Sequence, residues 1–249
     1  MRVKLICCEI FFREVCALLA DSPNTCDEQF LPKGLHDLGA DRMLPRLQEA
    51  VDAVDPARYE AILMGYALCN NGLAGLEARR LPLIVPKSHD CIGVFMGDRQ
   101  SYREYFDAHP GTYYRTSGWT ERNDASGAGE ETVPQKLGLF LKYDELVAKY
   151  GEENAAYIME TMGDATAHYD RMTFIRMGLP CDDRFAAMAR EDAARQGWTY
   201  EEIGGSLGVL RKLIDGPWDD DSLLTVRPGE RIAASHDDGV IRAAAVACT

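Results

Sequence analysis

Short apolar runs alternate with stretches of helical spacing through the first third of this chain, and that alternation restricts its fold more than any other feature. Residues 3–8 form an apolar run of strand length, residues 26–31 can form a second strand, and residues 11–20 between them have helical spacing. Residues 42–54 place Met43, Leu47, Ala50, Val51 and Val54 on one helical face, with Asp41 positioned to cap the helix. Short apolar strands follow at 59–65 and 82–86. Such a β-α-β succession predicts an α/β fold: parallel sheet with helices on both faces, joined by right-handed crossovers.

Beyond Gly97 the pattern predicts a helix over 102–107, an aromatic turn over 110–119 and a polar, glycine-containing flexible loop over 121–135. Helices are expected at 136–150 and 152–168, a strand at 172–177, a helix at 183–196 and strands at 199–203 and 223–226. The chain thus divides into an N-terminal βα half at 1–120, the loop, and a C-terminal helical and βα half at 136–249, the two halves facing each other across a cleft. Its 249 residues, 46% of them hydrophobic, are enough for one large core or two small ones.

No run of about 18 apolar residues occurs, and the chain passes from Met-Arg-Val-Lys directly into a strand, so a cytoplasmic location is expected. A net charge of -13 without a basic stripe repels nucleic acid and anionic membranes, which leaves a small-molecule substrate or other proteins as partners. In a reducing compartment the 8 cysteines are buried hydrophobes, metal ligands or nucleophiles rather than disulfides.

Ligand sites of open parallel sheets lie outside the carboxyl ends of the strands, and the chemically active residues of this chain collect there. The first strand ends in Cys7-Cys8-Glu9, and the loop after the second carries Gly34-Leu35-His36-Asp37. The third runs into Gly65-Tyr66-Ala67-Leu68-Cys69-Asn70-Asn71-Gly72, and the fourth into Pro86-Lys87-Ser88-His89-Asp90-Cys91. His89 and Cys91, two residues apart, can both point at one ion, and Cys69 can add a third donor. Thiolates with imidazole suit zinc, iron or an iron–sulfur cluster rather than magnesium or calcium. Cys8 or His36 could complete the coordination, or that position could stay open for substrate. The arrangement is similar to the zinc site of thiol-activating methyltransferases, although there the second cysteine follows the His-x-Cys pair, whereas Cys69 precedes it.

The same residues also admit plainer readings. A cysteine at a strand end is often a small buried residue, and a single His-x-Cys arises by chance. Cys16 and Cys26, inside a helix and a strand, read as buried, and Cys181 and Cys248 have no partner close in sequence. Asn70, Asn71 and Gly72 could form a turn into a helix N-terminus that receives an anion of a cofactor or substrate, or simply a turn, since the spacing matches neither a dinucleotide fingerprint nor a P-loop. Tyr113, Tyr114 and Trp119 could wall a ligand pocket or belong to the core.

Five blocks carry a family resemblance: Cys8-Glu9, Pro32-Lys33-Gly34-Leu35-His36-Asp37, Gly65 to Gly72, Pro86 to Cys91, and Pro110-Gly111-Thr112-Tyr113-Tyr114. They resemble the signature blocks of the domain-of-unknown-function 1638 family, and the likeness extends to Gly197-Trp198 and the segment 213–218. It implies bacterial and archaeal proteins often encoded near corrinoid-dependent methyltransferases. It also strengthens the metal-site expectation, because Cys8, His36, Cys69, His89 and Cys91 all fall inside the blocks.

The leading expectation is a metal-dependent enzyme of one-carbon or methyl-transfer metabolism, a methyltransferase in its narrowest form. Cys69, His89, Cys91 and Cys8 would hold zinc as a Lewis acid toward a thiol or small nucleophile. Glu9, His36 or Asp90 would handle protons or orient a ligand. The alternative is a non-catalytic accessory factor that binds an iron–sulfur cluster or docks on a corrinoid protein. A third is a metal-free enzyme using Cys91 or Cys69 as a nucleophile, activated by His36 or His89.

Overall fold

The computed structural model describes residues 1–69, 71–122, 143–162, 168–219, 221–235, 237 and 239–246. Its fold is α/β. Strands β1 (Arg2–Cys8), β2 (Thr25–Leu31), β3 (Ala61–Gly65) and β4 (Leu83–Pro86) are mutually parallel in the order β2-β1-β3-β4. All five residues of β3 and most of β1 are buried, as strands covered on both faces require. At the edge, β2 is only partly buried and carries Asp27 and Glu28, charges that discourage further pairing.

Helix α1 (Phe12–Leu19) continues from a 3-10 turn, Glu9–Phe11, directly after β1. Helix α2 (Ala40–Asp52) buries Met43, Leu47, Ala50 and Val51, the face expected from the spacing. Its cap is Gly39 rather than Asp41. The backbone turns into the helix at Gly39 with φ 79°, which favours glycine, and Asp41 falls in the first turn, where a carboxylate suits the helix dipole. Helices α3 (Cys91–Met96) and α4 (Arg99–Ala108) follow β4, each capped by an aspartate, Asp90 and Asp98.

The aromatic turn expected at 110–119 is instead strand β5 (Thr112–Arg115) followed by helix α5 (Ser117–Glu121). Pro110-Gly111 gives the segment a turn-like start, but Thr112 to Arg115 pair in parallel with residues 171–174, and that tertiary pairing decides the outcome. Strands β5, β6 (Arg171–Arg176) and β7 (Thr199–Gly204) form a second parallel sheet, covered by helix Asp182–Gln196. Strand β8 (Leu223–Val226) returns to the first sheet, antiparallel to β4, and β9 (Glu230–Ala234) and β10 (Ile241–Ala245) form a hairpin. Residues 1–120 therefore contribute β5 to the second sheet, and residues 136–249 contribute β8 to the first. Helices are described at Tyr143–Tyr150 and Glu152–Met162, whereas nearly all of the expected loop, residues 123–135, lies outside the described residues. No described helix is long and apolar enough to cross a membrane.

One apolar cluster joins both sheets, since Phe95 of α3 and Ile175 and Met177 at the end of β6 belong to it along with β1, β3 and β4. A smaller cluster packs Phe174 against Phe185 and Ala189. Helix α5 can lie against the turn after β1 only because residue 118 is glycine: a Cβ there would stand 1.7 Å from the Ile10 carbonyl oxygen.

Glu14 of α1 is fully buried, and neither carboxylate oxygen has a hydrogen-bond partner. Burial raises its pKa from 4.5 to about 7, and the charges of Asp182 and Glu121 push the same way. A folded-state pKa above the unfolded one gives stability that is complete below pH 4.5 and is lost as pH rises toward 7. The loss is about 3 kcal/mol at most. Denaturant titrations should show that between pH 5 and pH 8 the protein loses roughly that much stability relative to Glu14→Gln. Parallel pH profiles for the two proteins would show that Glu14 ionises normally.

Candidate thiol and histidine centre

Because β1 to β4 run parallel, the segments leaving them emerge at one edge of the sheet. Cys8 is the last residue of β1, and the 3-10 turn Lys33–Leu38 follows β2. The segments after β3 and β4 are joined by backbone bonds, Leu68 N–H to the Ser88 carbonyl at 3.0 Å and Cys69 N–H to the His89 carbonyl at 2.9 Å. The turn after β2 is tied to β1 by the Lys33 amide, which donates to Glu9 Oε1 at 2.8 Å.

This framework brings together Cys8, His36, Cys69 and Cys91. Cys8 Sγ lies 3.3 Å from His36 Nε2, and the His36 ring stacks on Tyr66 with centroids 6.0 Å apart. Cys91 is the first residue of α3 and is buried, and Trp119 Nε1 donates to its sulfur at 3.4 Å. The Lys33 ammonium sits 4.9 Å over the ring of the same tryptophan. Lys33 and Tyr66 were not singled out as site residues, and only their place in the resembling blocks pointed toward them, whereas Trp119 was weighed as a pocket wall or a core residue.

Burial governs the protonation of this centre. It raises the pKa of Cys8 and Cys91 far above the usual thiol range and that of Cys69 to about 12. The thiols reinforce one another: Cys91 acts on Cys8, Cys8 on Cys69, and Cys69 on Cys91. His36 is lowered to about 4, first by burial and then by the charge of Lys33. At neutral pH the centre therefore holds thiols beside a neutral imidazole rather than a thiolate–imidazolium pair. The Tyr66 hydroxyl is buried without a hydrogen-bond partner, and its pKa is raised by burial and then by Cys8, Cys7 and Cys69. A hydroxyl left so costs about 1–3 kcal/mol and calls for a ligand or another explanation. Among the described residues, no group of three or more His, Cys, Asp or Glu side chains is arranged to hold a metal ion as it stands.

The other candidate residues have different surroundings. His89 is exposed and lines a cavity of about 1050 Å³, together with Ser88, Asp90, Tyr102 and Val209. His89 and Cys91 thus lie on different sides of one segment. Asp90 caps α3 by accepting from Gly93 N–H at 3.0 Å, and Tyr102 donates to its other oxygen at 2.7 Å. Glu9 holds the Lys33 amide and lies 3.8 Å from Arg122. Asn70 lies outside the described residues. Cys69 and Asn71 have positive φ, 42° and 63°, and Asn71 is exposed. Gly72 is buried, and a Cβ there would stand 2.4 Å from Met43 Sδ, so its lack of a side chain serves packing. The segment continues as turns, in keeping with the plain-turn reading and not with a helix N-terminus after Gly72. Cys16, expected to be buried, is exposed on α1, because the spacing that buries Val15 and Leu18 turns Cys16 outward. Cys26 is half-buried against the core, as is Cys181 against the smaller cluster, and Cys248 lies outside the described residues.

A family model described as "Protein of unknown function (DUF1638)" matches residues 30–214, well over half of the chain. No curated protein and no solved structure matches it.

The protonation pattern gives a direct expectation for thiol chemistry. In metal-free protein at pH 7, a disulfide reagent should modify exposed Cys16 quickly, whereas Cys8 and Cys91 react only when denaturant is added. Rapid labelling of Cys91 in the folded protein, located by peptide mass, would show a thiolate there and favour a metal-free nucleophile.

Proposed function

Because the chain belongs to the DUF1638 family, whose description names no reaction, its chemistry has to be read from its own residues, and we propose that it is a metal-dependent enzyme acting on a small molecule. In this reading Cys8, Cys69 and Cys91 are sulfur donors and His36 the nitrogen donor to one soft metal ion, zinc first. His89 belongs to the neighbouring cavity. The observation that carries the reading is the buried, unpartnered Tyr66 hydroxyl among these thiols and the imidazole. Water-excluded thiols and a neutral imidazole are a donor set that suits zinc or iron and is poorly suited to magnesium or calcium.

Binding requires the thiols to lose their protons, which burial alone resists and a divalent charge favours. When bound, the ion supplies a Lewis acid toward a thiol or similar nucleophile. The protein's own groups do the rest. The Tyr66 hydroxyl offers a hydrogen bond to a ligand's polar atom, and Trp119 N–H holds the Cys91 sulfur. His89, exposed in the cavity, can exchange a proton with a substrate there, beside the Asp90–Tyr102 pair. The reaction class we assign is transfer of a one-carbon or methyl group to or from a small thiol or comparable nucleophile, with a corrinoid protein or methyltransferase as partner. A second reading, favoured by the presence of three thiols, is an accessory factor with an iron–sulfur cluster.

Anaerobic metal analysis of freshly purified protein separates these. The enzyme reading expects a colourless protein with about one zinc per chain, whereas the accessory reading expects a brown protein absorbing near about 400 nm. Cys91→Ser should abolish or sharply weaken metal binding while the melting temperature falls by only a few degrees, since Leu5, Ile6, Leu63 and Val85 supply a core independent of the ion. Protein that holds neither metal, and takes up neither zinc nor iron when supplied, would remove the basis of both readings.

A further inference from the structure

Helix α5 lies against the thiol centre, and the contacts that seat it fall within its five residues. Trp119, itself only half-buried, donates its indole N–H to the sulfur of buried Cys91 at 3.4 Å. Gly118 rests on the Ile10 carbonyl, where no side chain fits. Ser117 donates to Asp182 Oδ1 at 2.9 Å, in the first turn of the helix Asp182–Gln196. Glu121 accepts two bonds from Arg13 of α1, at 2.9 and 2.6 Å. The indole is therefore held on the sulfur by a seam between α1, the turn after β1 and the helix that covers the second sheet.

Glu14 of α1 belongs to that seam. Its carboxyl group is fully buried and neither oxygen is hydrogen-bonded, which is costly in either protonation state and most costly when charged. Its neighbour Arg13 favours the charged form, but Arg13 gives two N–H groups to Glu121 and lies over the Phe185 ring. Glu121 of α5 opposes that form, and so does Asp182, whose oxygens accept from the Ser117 hydroxyl and the Gly178 and Leu179 amides. From β1 the facing group is the Cys7 thiol, which burial keeps protonated. The helix Gly208–Asp215 also packs on α1; its Arg211 is held by Asp21 and Asp215, and its Lys212 lines the cavity. Burial first, and the charge of Asp182 after it, outweigh what Arg13 supplies.

We propose that α5 is a cover over the thiol centre that lifts when Glu14 becomes charged, so that pH controls access to Cys91. With Glu14 protonated the seam stays closed. A charged Glu14 gains from contact with water, which it reaches when α5 moves off α1, and the same movement withdraws the Trp119 N–H from the sulfur. One proton passes from Glu14 to solvent, and no other bond is formed or broken. The inference goes beyond the metal reading and does not depend on it, because it concerns what admits a reactant to the sulfur.

The test is hydrogen exchange of the full chain at pH 6 and pH 8, corrected for the base-catalysed rise in intrinsic exchange. Two probes report the cover: the Thr120 and Arg122 amides, bonded to the Thr116 and Gly118 carbonyls, and the Trp119 indole N–H, identified by its loss in Trp119→Phe. With a carboxyl pKa of about 7 in the closed form and 4.5 in the open one, the opening constant rises about ten-fold between these pH values. Both probes should lose that much protection. They should exchange through an opening far more frequent than the one that frees the amides of β1 and β3, and scarcely changed by low urea. Glu14→Gln should remove the pH dependence at both probes, and Glu14→Met serves in its place if that variant does not fold. The same ten-fold rise in Glu14→Gln overturns the inference, as does protection of α5 that is equal at the two pH values. So does exchange of the two probes that only keeps pace with β1 and β3, since α5 would then open by global unfolding and not as a cover.

Discussion

The parallel pairing of β1 with both β2 and β3 is the constraint on which the rest of the structure depends. It sets Cys8 level with Leu31 and Cys7 level with Gly65, so the turn carrying His36 and the segment carrying Cys69 both begin beside the end of β1. The pairing is held by burial rather than by the site. Val3, Leu5, Ile6, Leu63 and Met64 are fully buried, and each such side chain contributes about 1.5–3 kcal/mol as an upper figure. A core of that kind tolerates an unpartnered tyrosine hydroxyl at its edge, a cost of about 1–3 kcal/mol.

Burial also decides the chemistry of the edge. The apolar surroundings that stabilise the sheet hold the thiols of Cys8, Cys69 and Cys91 protonated and His36 neutral. A nucleophilic cysteine needs the reverse: a thiolate stabilised by a nearby imidazolium or helix terminus. Lys33 acts against such a pair on the histidine side, because its charge further lowers the pKa of His36. What can reverse the effect of burial at all three thiols together is a cation bound directly to sulfur. For that reason the metal reading is preferred over a bare cysteine nucleophile.

Much of the first sheet was legible because its signal is local. Residues 3–8 and 82–86 are apolar runs that need no partner to be recognised, and the face of α2 follows from helical spacing alone. The segment 112–115 was not, because its strand character comes from pairing with residues 171–174, far away in sequence. The return of residues 223–226 to the first sheet, antiparallel, likewise depends on a contact that no periodicity encodes. At the site, Cys8, His36, Cys69 and Cys91 could be picked out by residue type and by their position after strands. Lys33 and Tyr66 could not, since a lysine in a loop and a tyrosine after a strand are each unremarkable until burial and contact are known, and Trp119 could be picked out only as a pocket wall or a core residue, not as the donor to Cys91.

The directions of His89 and Cys91 show the limit of spacing most clearly. In a continuing strand, residues two apart share a face, and that rule suggested one ion for both. Here the strand has already ended. Asp90 is extended, with φ -150° and ψ 177°, and caps a helix that begins at Cys91, so the chain turns between the two side chains. Cys91 goes inward to Trp119 and His89 outward to the cavity. Asp90 is then the hinge between two environments, holding the start of α3 with one oxygen and Tyr102 with the other. One carboxylate thus serves both places: it faces the cavity beside His89 and it holds the first turn of the helix that carries Cys91 inward.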